Sequence, residues 1–393
     1  MNRRLPAEIR RNLTRELLRD RTGFIWLQRT LGPRRLIPLL VLVCFVFLGV
    51  SLAPAADLSR DIRTADDATQ YKAAIDQYVA SQAANISGDD AQSASRARDS
   101  LIDELRGLVP PSPSFLDVYS ASLQTQLAPL LANSSPRVRL NAAIVVARIA
   151  AQSQDAGLSS LIITELSDQN EGVVLWALKA AQSVMPSALN VTATKVKLIT
   201  AVTVAAQRVK TGPIIAAAYN ALSYDKLPQP ADLIVPMQSL LAWRISQYAA
   251  GIPPEPPADA RATNFLTERN IWLGAPSSQL ATVQLIAQLI AADVQDQASA
   301  KGDDLDELNL LLKKLGESIY VVGVASADPS LQTASTPLQS ITQRPPPMSA
   351  AAAAGRAIGA LAVKFPGLKI PAGITVTATA PAAPAAPPAP ANP

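Results

Sequence analysis

The chain has 393 residues, of which 49% are hydrophobic, 17% charged and only 4% aromatic, enough material for two ordinary domains or one extended one with a sizeable core. It has no histidine and a single cysteine. That removes the commonest general base and metal ligand, any intrachain disulfide and any cysteine-built zinc site.

The net charge of +4 is unevenly distributed. Residues 1–35 hold ten arginines against Glu8, Glu16 and Asp20, a net of +7, so residues 36–393 carry −3. A mildly acidic body excludes nucleic-acid binding through bulk charge. Within the basic segment, Ile9, Leu13 and Leu17 recur among Arg10, Arg11, Arg15, Arg19 and Arg21. That pattern fits a basic amphipathic helix on anionic lipid or an arginine-rich tail without structure.

Residues 36–56 contain no charged side chain, and as a helix they measure roughly 30 Å, the thickness of a bilayer core. Arg34 and Arg35 precede the run and Asp57 follows it. The asymmetry predicts a single-pass N-in, C-out span contacting membrane lipid, or a signal segment for export to the periplasm or another extracytoplasmic space. Ala53-Pro54-Ala55 has the A-x-A form of a cleavage site, with Ala56 as first mature residue, yet 35 residues is long for the preceding region of a signal peptide. Cleavage after Ala55 and retention as an anchor both remain open.

The rest of the chain reads as all-α, because it is Ala-rich and poor in the β-branched and aromatic runs of sheets. Residues 57–112 are expected to form a helical stalk or hairpin, with Tyr71, Ile75 and Val79 on one stripe and Leu101, Ile102 and Leu105 on another. Pro110-Pro111-Ser112-Pro113 closes it.

Residues 113–325 are expected to form the main domain. Pro136-Arg137-Val138-Arg139 opens a helix with the apolar line Val138, Ala142, Val145, Ile149. Thirty-five residues later the line Val173, Ala177, Ala180, Val184 repeats the spacing, and Ile214, Ala218 and Ala221 start it a third time. Second helices lie between, carrying Leu158, Leu161, Ile162 and Leu166, then Leu198, Ile199, Val202 and Val209, then Met237, Leu240, Leu241, Ile245 and Tyr248. Paired helices at such a period predict an α-solenoid, in which each unit buries its apolar face on its neighbours.

Residues 133–250 resemble the HEAT-like (armadillo-type) repeat family, whose first helix commonly opens Pro-x-Val-Arg-x-x-Ala. Pro136, Val138, Arg139, Ala142 and Ala143 match; in the second unit Val174 stands where Arg would be, with Asp168 preceding as an acidic residue often does. The resemblance implies a fold and a habit of binding proteins, not a chemistry.

A linker is expected at 251–262 and a pair of capping helices at 278–320. The first of these carries Leu280, Val283, Ile286, Ile290 and Val294 inward. The second starts with Asp303, Asp304, Asp306 and Glu307 at its positive N-terminal end and has Lys313 and Lys314 near its close. Order is expected to fade after Ala325, leaving 326–393 mostly disordered apart from a short helix at 349–364 and ending in a Pro/Ala-rich tail.

Phosphate-loop, dinucleotide, nucleophile-elbow and zinc-protease motifs are absent from the sequence, so no catalytic, cofactor-binding or metal-ligating residue is expected, nor a small-molecule substrate. The acidic group at 303–307 lacks the loop glycine and alternation of a calcium site, and a helix N-terminus accounts for it. Candidate partner contacts are Trp176, for which packing in the core between units is the favoured reading, and Lys195, Lys197, Arg208 and Lys210, for which a solvated helix face is the favoured one. The expected function is a non-catalytic scaffold, membrane-tethered or exported, that binds a protein partner outside the cytoplasm. Its rivals are a carboxylate-only hydrolase acting on a wall polymer, which needs two inward acids about 5–9 Å apart, and a spacer with no specific partner.

Overall fold

A computed structural model describes residues 57–106, 108–223, 231–250, 256–343 and 346–376. Among them all regular structure is helical. The segments expected at 1–35 and 36–56, the cleavage site and the Pro/Ala tail from residue 377 lie outside the described residues. Among the described residues no helix is long and apolar enough to cross a membrane.

Sixteen helices follow in order: α1 (Arg60–Arg63), α2 (Lys72–Ser87), α3 (Ala91–Asp103), α4 (Pro113–Leu131), α5 (Pro136–Ser153), α6 (Ser159–Leu166), α7 (Glu171–Ala188) and α8 (Thr192–Val209), then α9 (Gly212–Leu222), α10 (Ile234–Ala249), α11 (Pro256–Thr267), α12 (Arg269–Gly274), α13 (Gln279–Gln297), α14 (Asp303–Ala325), α15 (Pro329–Gln339) and α16 (Ala350–Lys364). Their starts are written locally. Ser112 Oγ accepts the Phe115 N–H at 3.1 Å with Pro113 at the first helical position, and Asn170 and Asp328 cap α7 and α15 in the same way. Helices α5 and α8 stop where Gln154 and Lys210 turn left-handed, at φ 53° and 63°.

The helices pack as two rows. In one, α2, α4, α6, α8, α10, α13 and α16 each touch the next; in the other, α3, α5, α7, α9, α11, α14 and α15 do so. Most consecutive helices bridge the rows, whereas α14 and α15 lie in the same one. This succession is compatible with an α-solenoid. Helix α6 packs more extensively on α7 than on α5, whereas α8 packs more extensively on α7 than on α9.

The apolar lines form the core. Val138, Ala142, Val145, Ile149, Val173, Ala177, Ala180, Val184, Ile214, Ala218 and Ala221 are all buried. Small residues on facing helices let backbones approach, so many weak dispersion contacts replace the bulk of large side chains. Helices α2 and α3 pack on each other and continue the two rows through α4 and α5.

Three expectations change in the C-terminal half. The linker expected at 251–262 is already helix from Pro256, where α11 buries Ala258, Asp259, Ala260 and Ala262. Helix α14 runs on to Ala325, which puts Lys313 and Lys314 near its middle. The region expected to lose order after Ala325 instead holds α15, whose Leu331, Ala334 and Leu338 are buried on α14, and α16, close to its expected span. Beyond α16, Phe365 meets Trp272 edge-on at 5.9 Å. The Gln284 amide then pairs with both backbone groups of Lys369, at 2.8 and 2.9 Å. These contacts give residues 365–369 partners within the folded body.

Candidate functional site on the face of α5 and α7

The basic side chains of the repeat region fall into two groups, those consumed in joining turns and those left outward. Arg139 on α5 grips Asp168, in the turn before α7, and donates to the carbonyls of Asn133 and Ser134 at 2.8 and 3.1 Å. Arg208, at the end of α8, donates to the carbonyls of Leu166 and Asp168 at 2.8 and 2.7 Å. Arg137 reaches the Gly88 carbonyl in the α2–α3 turn, and the Thr211 hydroxyl donates to Glu171. Four successive turns on one edge are thereby laced together: α2–α3, α4–α5, α6–α7 and α8–α9.

The sequence-derived contact residues are dispersed by this arrangement. Lys195 is paired with Asp232 at 2.7 Å. Arg208 caps carbonyls, and Lys210 is the left-handed residue that ends α8. Lys197 is exposed. Lys195 and Arg208 stand 13 positions apart on one helix, roughly 20 Å, so the four do not form a patch.

Trp176 is different. It is half-buried on α7 rather than sealed between units. Over its ring stand Lys179 Nζ, 4.4 Å from the centroid, and Arg148 Cζ, at 5.3 Å. Both cations are exposed, and the indole face attracts each electrostatically. Their surroundings are short of acid. Helix α5 has three arginines and no carboxylate, α7 has Glu171 at its start as its single acid, and α9 carries no charge. Sequence reasoning found Trp176 but not its two cations. Lys179 lies three residues on, a helical neighbour, whereas Arg148 comes from the adjacent helix.

Buried polar groups lie elsewhere. Arg244 Nε and Asp259 Oδ1 are 3.7 Å apart and almost fully enclosed between α10 and α11. The Tyr219 hydroxyl donates to the same carboxylate at 3.2 Å, and the Arg244 guanidinium lies 4.8 Å over the Tyr248 ring. Burial, reinforced by the Asp259 charge, pushes the Tyr219 phenol well up. Burial likewise raises Glu165 on α6 well above the carboxylate range and pushes Asp293 on α13 up to about 9, with the Asp296 charge adding in the latter case. Neither Glu165 nor Asp293 has a hydrogen-bond partner for its carboxyl oxygens among the described residues.

Among the described residues, two surface grooves could admit ligands. One, about 720 Å³, lies between α13 and residues 367–372 and includes Leu280, which was expected inward and is 43% exposed. The other, about 740 Å³, lies where the start of α14 faces residues 341–343. Glu165 and Asp293 line neither groove. Among the described residues no three acidic or cysteine side chains converge as a metal site would require. No protein-family model, curated protein or solved structure matches the chain.

Proposed function

We propose that the protein is a non-catalytic, HEAT-like α-solenoid scaffold, held at a membrane by residues 36–56 or exported by them, that presents the face of α5 and α7 to a protein partner outside the cytoplasm. The observation that carries this reading is the half-buried Trp176 under Arg148 and Lys179, on a row of helices stiffened by arginine-laced turns. A large aromatic side chain left accessible beside two cations is the composition of a contact anchor. The HEAT-like assignment draws support from the two-row packing and from the Arg139–Asp168 join between units. The N-in, C-out topology rests on the charge asymmetry around residues 36–56.

Cross-linking in cells, followed by affinity recovery of the full chain from the membrane fraction, tests the proposal. Wild type should recover one protein reproducibly, and W176A should lose it while keeping its helical content. Fractionation of the whole population into the soluble cytoplasm would overturn the topology, and equal recovery by W176A would overturn the assigned face.

A further inference from the structure

We infer that the outward face of α4, α6 and α8, in the row that does not carry Trp176, pairs with the same face of a second copy about a two-fold axis running along α6. Charge is scarce on these three helices. Asp117 is the single charged residue of α4, Glu165 of α6 is buried, and α8 holds Lys195, Lys197 and Arg208. Lys195 is paired with Asp232, and Arg208 donates to two carbonyls. That leaves Asp117 and Lys197 exposed, with no ion pair or side-chain hydrogen bond among the described residues.

The rest of the face is cheap to cover. Val196 and Val204 lie 58% and 52% exposed on α8, and Ala121 and Ala128 are exposed on α4. The polar groups beside them already have partners. Thr125 and Thr164 donate to the carbonyls of Ala121 and Ser160 at 3.1 and 3.0 Å, and the Ser160 hydroxyl donates to Gln124 Oε1 at 3.3 Å. Covering them strands few hydrogen-bonding groups, and short side chains lose little rotamer freedom, so desolvation and ordering oppose a contact only weakly. With neighbouring helices about 10 Å apart and α4 and α8 each about 27 Å long, the face offers roughly 700 Å², close to what a specific dimer buries on each partner.

The two leftover charges point to the occupant. The laced turns α4–α5, α6–α7 and α8–α9 lie on one edge, so α4, α6 and α8 end together and run the same way. Asp117 stands 14 positions before Leu131, the end of α4, and Lys197 stands 12 positions before Val209, the end of α8. Their levels match to about 3 Å. A two-fold axis lying in the contact plane along α6 exchanges the flanking helices, so α4 of each copy faces α8 of the other. Asp117 then meets Lys197 on both sides, while α6, which exposes no charge, meets itself. A lone acid and a lone base level with each other across an uncharged helix are complementary to their own rotated image, which selects a second copy over a different protein. The contact closes at two copies and leaves the face of α5 and α7 free, so it goes beyond the scaffold reading.

Sedimentation velocity of the full chain in detergent tests the inference with the protein itself as probe. Wild type should pass from monomer to dimer with rising concentration and stop there. Thr164, on α6, lies beside its own counterpart, so T164R sets like charges against each other across the axis. T164R, D117K and K197E should each weaken dimerisation by about ten-fold, because symmetry applies every change twice, and D117K/K197E in one chain should restore it. All three side chains are exposed, so helical content and melting temperature serve as folding controls. A wild type that stays monomeric overturns the inference, as does assembly beyond the dimer, association that T164R leaves unchanged, or a double reversal no stronger than either single one. Monomeric wild type that binds phosphatidylcholine vesicles, with binding lost in T164R, overturns it as well and assigns the face to lipid.

Discussion

Arg139 and Asp168 meet fork to fork across two units, with Nε 2.6 Å from Oδ2 and Nη2 3.2 Å from Oδ1, while the Asn170 N–H donates to Oδ1 at 2.7 Å. Burial alone would raise the Asp168 pKa, but the Arg139 hydrogen bonds, the Asn170 N–H and the Arg139 and Arg208 charges outweigh it and hold it below the usual range. Both side chains are mostly covered, so the pair is screened less than an open surface bridge. Asp168 is also the cap of its own turn, so one carboxylate serves the join and the start of α7 together.

Replacing Asp168 with alanine is therefore expected to cost about 2 kcal/mol, read as a fall in urea midpoint. Arg139→Lys keeps the charge but loses the fork, and should recover only part of it. The folded pKa is depressed, so the contribution is full above the unfolded value near 4 and is lost as pH falls through the folded value. Wild type and D168A should converge in stability in acid; a constant gap down to pH 2 would count against the pair.

Gly316 and Gly323 let α14 and α15 approach closely. A β-carbon at Gly316 would stand 2.8 Å from Leu338 Cβ and 3.0 Å from the Gln339 nitrogen. One at Gly323 would meet Gln332 Cγ at 2.9 Å and the Asp328 carbonyl oxygen at 3.1 Å. The neighbours include backbone and cannot swing aside. Alanine improves helix propensity by about 1 kcal/mol, but forcing α14 and α15 apart costs about 1–3 kcal/mol. G316A and G323A should each lower the melting temperature, whereas G274A, with nothing within 4 Å, should leave it level or higher.

The enclosed pair Arg244–Asp259 is a different kind of contact. Removing one partner leaves a charge inside the protein, so D259A is expected to destabilise by about 3–5 kcal/mol. Y219F removes a single hydrogen bond to the same carboxylate and should cost about 1 kcal/mol. Chemical denaturation of both variants checks the ranking. A D259A chain as stable as wild type would mean that solvent reaches the site.

The helix starts at Pro136, Glu171 and Gly212 and the apolar lines behind them were legible because Pro, a capping residue and a 3.6-residue period act locally. Interlocking between elements was not. Arg244 and Asp259 carry the residue types of solvent-facing positions, and only the approach of α10 to α11 makes them partners. The Arg139–Asp168 join spans 29 positions and follows no local rule. Helix α15 hides in Ser, Thr, Gln and Pro, although Leu331, Ala334 and Leu338 hold a helical spacing. Of the candidate contacts, Trp176 is half-buried beneath Arg148 from α5, whereas Lys195 and Arg208 were taken up by acceptors 37 and 40 or more positions away.

Asp293 shows the same limit one residue wide, and its titration provides the sharpest test. The stripe on α13 was expected to place Val294 inward; the helix instead buries Asp293 and leaves Val294 half-buried. Its carboxyl is fully enclosed, has no hydrogen-bond partner among the described residues and is pushed up to about 9. Below about pH 4 both the folded and the unfolded chain carry it protonated, and it exacts no penalty. Between that value and about 9 the unfolded chain releases the proton while the folded chain retains it, so each unit of pH costs on the order of 1 kcal/mol of stability. Asp293→Asn removes the titration with little change of shape. D293N should match wild type near pH 4 and exceed it by a margin that widens up to pH 8, followed by urea midpoints at a series of pH values. A margin independent of pH would show that Asp293 is ionised in the fold.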